Sequence, residues 1–170
     1  MQSDLMAELK TGEFGMPLKQ FQRDAMLDLI LAWGSLDGAL TMLVAAITGE
    51  DLCDAADRIG KLKGSMKLLE IATILEGYES GTDIAKNFRR QKKKYEKHSK
   101  SRNRIAHAHC VGFLKSDEQF VVFLCVEREG KDQMAIEAIP VEEMSSATNY
   151  GNLLMTYAIQ TEEKIRALES

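Results

Sequence analysis

The sequence predicts a mainly α-helical fold, a bundle of four to five helices with a β-hairpin inserted at about residues 118–139, before the last helix. Three observations carry that expectation. Apolar residues recur at helical spacing over most of the chain. The only prolines are Pro17 and Pro140, so long helices run uninterrupted. Between those helical stretches, β-branched and aromatic residues cluster around a single turn.

Residues 1–16 read as a loose lead-in, and 17–170 as one domain. Pro17 suits the first turn of a helix, where a missing N–H costs nothing. From there to Thr48 the residues Met26, Leu29, Trp33, Leu36, Leu40, Leu43, Val44 and Ile47 form one broad apolar face, and Gly49 is a stop. Asp51 is a cap for a short second helix through Ile59. Ser65 opens a third, "SMKLLEIATILEG", with Met66, Leu69, Ile71 or Ala72, and Ile74 inside and Gly77 at its end. Thr82 or Asp83 caps a fourth helix running to about His107. "QFVVFLCVERE" and "QMAIEAIP", joined by "GKD", form the hairpin, which Pro140 closes. Helical spacing then returns with Met144, Tyr150, Leu154, Tyr157 and Ile165, weakened in the middle by Gly151.

The chain has 170 residues, 45% hydrophobic and 28% charged, which places it among globular rather than disordered proteins. Three cysteines, Cys53, Cys110 and Cys125, are an odd number without CxxC spacing, which argues for a reducing compartment. The start, "MQSDLMAELKTGEFG", has acids and no apolar core of a signal peptide, and the longest apolar run, "LTMLVAAI", is too short to span a bilayer. The expectation is a soluble cytoplasmic protein that engages no membrane.

The net charge of −4 conceals a segregation of sign. Residues 89–104, "RRQKKKYEKHSKSRNR", hold nine Lys/Arg and one acid, Glu96, leaving 13 basic and 25 acidic residues elsewhere. Such a segment creates a local positive field whatever the global balance. Lysines on a helix are by default a solvated face. Against that default, acids are nearly absent at i±4, and nine like charges repel unless a polyanion neutralises them. Lys92, Lys93 and Lys94 are therefore candidate RNA-binding residues, although three successive residues spread around the helix and cannot all face one ligand. Tyr95 is a candidate for base stacking, although one tyrosine at a core angle is more often a packing residue.

On a helical wheel with Ile105 at zero, Arg102 lies at roughly 60°, inside the apolar sector with Ile84, Phe88 and Tyr95, and His98 and His109 fall close by. A buried guanidinium needs a partner. Asp37, at the margin of the first helix's apolar face, is a candidate carboxylate for it, or else a structural or simply exposed Asp.

The stretch "RNRIAH", Arg102 to His107, resembles the Arg–polar–x3–His signature of the HEPN superfamily, α-helical domains found in toxins and antiviral ribonucleases. The layout is similar too: a long first helix, a bundle, and the motif near a helix end late in the chain. The resemblance implies metal-independent RNA cleavage, without a cofactor, by a homodimer whose motifs meet at the subunit interface. In that role His107 takes the ribose 2′-OH proton, Arg102 stabilises the transition state bidentately, and Asn103 orients a phosphate or the imidazole. Cleavage would leave a 2′,3′-cyclic phosphate and a 5′-hydroxyl. His109 is the alternative catalytic histidine, since it lies only about 20° from Arg102 on a straight helix whereas His107 lies about 140° away. Arg104 and Lys100 are further RNA ligands. The toxin and defence context implies a cognate antitoxin or regulatory protein.

Other chemistries find less support. "HAHC" lacks metal-site spacing, Cys110 beside an apolar strand start reads as core, and "WGSLDGAL" has no Walker lysine, so no nucleotide cofactor is indicated. A different class remains open: a non-catalytic helical module for dimerisation or partner binding.

Overall fold

The first helix begins three residues beyond Pro17. In a computed structural model describing residues 9–78, 81–127 and 133–169, α1 runs Gln20–Thr48. The Met16–Pro17 peptide is cis, and Gln22, fully buried, accepts from the Lys19 N–H at 2.8 Å. The chain leaves α1 through Gly49, whose φ of +68° is a left-handed conformation that glycine adopts without a Cβ penalty. By length and composition α1 could cross a membrane, and half of its most apolar stretch is buried inside this protein. No uninterrupted apolar run reveals this, because scattered polar residues break the runs while leaving the average high.

Helix α2 (Leu52–Gly60) is capped as expected, the Asp51 carboxylate accepting from the N–H groups of Cys53 at 2.8 Å and Asp54 at 3.0 Å. Helix α3 (Met66–Leu75) follows Ser65, whose hydroxyl makes no cap and donates to Glu96 Oε1 at 2.6 Å. Helix α4 (Thr82–His107) begins at Thr82 itself, so neither Thr82 nor Asp83 is the residue before the first turn; that place belongs to Gly81. Helix α5 (Val141–Glu169) runs through Gly151 unbroken.

The inserted β element is larger than a hairpin. Strands β1 (Phe14–Gly15), β2 (His109–Leu114), β3 (Phe120–Glu127) and β4 (Gln133–Pro140) form one antiparallel sheet in the order β1-β2-β3-β4. The expected hairpin is β3–β4, with Phe123 opposite Glu137 and Val121 opposite Ile139. Its turn, "GKD", lies outside the described residues. Strand β1 places part of the expected lead-in on the sheet. Gly112 carries φ +134°, and a Cβ there would meet Gly15 O at 2.5 Å, so the β1–β2 approach requires glycine.

The chain divides into two compact units, one holding Met1–Leu31 and Lys100–Thr148, the other Ala32–Ser99 and Asn149–Ser170. The first contains the sheet, and Phe113, Leu114, Val121, Phe123, Ile139 and Met144 are buried in it. In the second, Trp33, Leu40, Leu43, Leu68, Ile71 and Phe88 are buried. Trp33 meets Tyr95 edge-on at 4.9 Å. Mainly α with a small antiparallel sheet is thus the fold class.

Candidate functional site

The last two turns of α4 carry polar residues at i, i+3, i+4 and i+7. Lys100, Asn103, Arg104 and His107 therefore fall within about 100° of arc on one face. That face forms a wall of a cleft of about 670 Å³, to which β3 and β4 contribute Cys125 and Glu137, and the first turn of α5 contributes Glu143. All of these residues belong to the sheet-bearing unit.

Two carboxylates tune the cleft. Glu137 holds Arg104 in a bidentate pair, with Arg104 Nη2 donating to Oε1 and Nε facing Oε2, each at 2.7 Å. The pair is about one third exposed on either side, so solvent screens part of its attraction. Ser101, 1% exposed, donates its hydroxyl to Glu143 Oε1. Neither Lys100 nor His107 makes an ion pair among the described residues, and His107 is exposed to the cleft.

The expected site residues are distributed as follows. Asn103, Arg104, His107 and Lys100 share the cleft. Arg102 does not line it; its Nη1 donates to the side-chain Oδ1 of neighbouring Asn103 at 3.1 Å. The helix ends at His107, Ala108 is the link, and His109 opens β2. The wheel angle that brought His109 near Arg102 assumed a helix that has already stopped there. Asp37 takes Lys67 as its partner at 2.6 Å. Lys93 and Lys94 are exposed, and Lys92, on the opposite side of α4, is half-buried. Tyr95 is buried against Trp33, and His98 stacks on Tyr150 at 4.8 Å. Burial pushes the Cys110 thiol above its ordinary range, which works against a thiolate nucleophile. Among the described residues, no group of three or more His, Cys, Asp or Glu is arranged to hold a metal ion.

Sequence reasoning missed Glu137, Ser101 and Glu143. Glu137 did leave a signal, as the one charge in the largely apolar "QMAIEAIP". A lone carboxylate in a half-buried strand asks for a cation. No protein-family model, curated protein or solved structure matches this chain.

Proposed function

We propose that the protein is an RNA-directed, cytoplasmic, HEPN-like helical bundle that cleaves RNA without a metal, working as a homodimer. The observation that carries the reading is the Lys100–Asn103–Arg104–His107 face, a cationic and carboxamide-bearing wall ending in an exposed imidazole. Lys100 and Arg104 hold the scissile phosphate and Asn103 donates to one of its oxygens. The His107 imidazole removes the 2′-OH proton, the 2′ oxygen attacks phosphorus, and the P–O5′ bond breaks. The leaving 5′ oxygen takes up a proton from water and the His107 imidazolium returns its own to solvent, giving a 5′-hydroxyl and a 2′,3′-cyclic phosphate. Arg102, about 140° around the helix from His107, serves the cleft of a second copy, neutralising charge on the phosphorane.

The test is purified protein with single-stranded and structured RNAs in EDTA, comparing wild type with His107→Ala, Arg102→Ala and Lys100→Ala. Cleavage by wild type that falls about 10²-fold or more in the His107 variant is expected. Mixing the inactive Arg102 and His107 variants should restore part of the activity. Wild-type protein that leaves every RNA intact overturns the enzyme reading.

One observation favours a second reading, a non-catalytic partner-binding module. Leu27 and Leu31, one turn apart on α1, are 56% and 58% exposed. In that case Leu27→Glu/Leu31→Glu changes the oligomeric state on gel filtration while RNA stays uncut throughout.

A further inference from the structure

A second hollow, of about 300 Å³, opens on the earlier part of α4, wholly within the other unit. Asn87, Gln91 and Lys94 come from α4, and Tyr150, Leu153 and Tyr157 from α5. Its aromatic walls are braced: Tyr157 packs on Phe88 at 5.2 Å, and Tyr150 stacks on His98 at 22° between ring planes. Asn87 Nδ2 donates to the Tyr157 hydroxyl at 3.3 Å, using one of the several hydrogen bonds a carboxamide can make. The Gln91 side chain makes none among the described residues. Leu153 at the rim is 73% exposed.

This combination of aromatic walls with two carboxamides is suited to a planar heterocycle carrying donors and acceptors on its edge. An apolar peptide side chain would leave the Gln91 carboxamide without a partner. Lys94 joins the hollow to a ribbon on the same helix. Arg90, Lys93, Lys94 and Lys97 fall within about 100° of arc, and Lys92 lies opposite. None of the four ribbon residues makes an ion pair among the described residues. Arg90 to Lys97 is about 10 Å along the axis.

We infer that the hollow binds one unstacked base of a single-stranded RNA whose phosphates follow Arg90, Lys93 and Lys97. The inference rests on the RNA reading above for the identity of the polymer, but uses none of the cleft residues. A paired base in a duplex cannot enter so small a space, whereas a splayed single-strand base can.

Fluorescence anisotropy in EDTA tests it with labelled oligo(A) and oligo(U) of about ten nucleotides, against an abasic ribose phosphate of equal length. Wild type should bind one base-bearing oligomer about tenfold more tightly than the abasic one. The double variant Asn87→Ala/Gln91→Ala, its helicity checked by circular dichroism, should lose that preference. Lys93→Ala/Lys97→Ala should weaken base-bearing and abasic oligomers alike, and Lys92→Ala should change neither. An abasic strand bound as tightly as RNA, or a preference that survives in the carboxamide variant, overturns the pocket. Free AMP or UMP competing as well as the oligomer overturns the strand as the source of the base. Cleavage is read separately: uncut RNA with the base preference intact defeats the cleft reading alone, and cleavage without the preference defeats the pocket alone.

Discussion

Glu137 sets how strongly the cleft attracts an anion. Its bidentate hold on Arg104 cancels one positive charge of the wall. Glu137→Gln should cost less than about 1 kcal/mol of stability, the range of a solvent-screened pair. The same change should tighten RNA binding and steepen its salt dependence by close to one counterion, which a titration at several ionic strengths reads directly. Tyr150 gives a residue-scale prediction in pH. Burial, with the neighbouring Tyr95 adding to it, raises its phenol above the ordinary 10.0. The fold disfavours the phenolate, so the unfolded chain ionises first. The stability linked to Tyr150 is complete below about pH 10 and declines as pH rises from there toward the folded value, with a slope of up to about 1.4 kcal/mol per pH unit. Urea unfolding across that range should show a shallower decline in Tyr150→Phe.

Helix α4 carries two polar stripes of the same i, i+3, i+4, i+7 spacing at different places along its length. Lys100, Asn103, Arg104 and His107 form one stripe, and Arg90, Lys93, Lys94 and Lys97 the other. The sequence shows the run but not its neighbours: whether a cation meets a carboxylate depends on β4 and on the residue that ends α3, as Arg104 with Glu137 and Arg89 with Glu76 illustrate. The long helices were legible because their apolar spacing is sustained. Strand β2 was hidden because it follows α4 after one residue, Ala108, without a glycine or proline between them. Strand β1 is two residues long, too short for any period to register. Gly151 shows where local propensity misleads. A Cβ there would sit 3.4 Å from the Trp33 indole, ordinary contact, so the position tolerates a methyl. Gly151→Ala should stabilise the protein by about 0.5–1 kcal/mol, the helix propensity difference. Asp51→Ala should cost about 1 kcal/mol by uncapping α2. Thermal denaturation of both variants checks the two signs.

At the scale of the molecule, an acidic chain concentrates nine of its 22 Lys/Arg in residues 89–104 of one helix, so attraction to a polyanion is local and strongly salt-dependent. If Arg90, Lys93 and Lys97 each displace a counterion from single-stranded RNA, log K should fall against log salt with a slope of about −2, at about 0.7 per contact. A flat dependence would mean the run is only solvated. The Arg–x4–His spacing was visible in the sequence, whereas the carboxylates that hold Arg104 and Ser101 were not, since they lie on a strand and a helix later in the chain. The position of one of them has an outcome unrelated to RNA. Strand β4 ends the sheet, and an end strand offers its backbone to any matching chain. Glu137 puts a charge, tethered to Arg104, in the middle of that offer. Glu137→Val would remove the guard, and the protein should then self-associate into insoluble β-rich aggregates on standing, at concentrations where the parent chain stays clear.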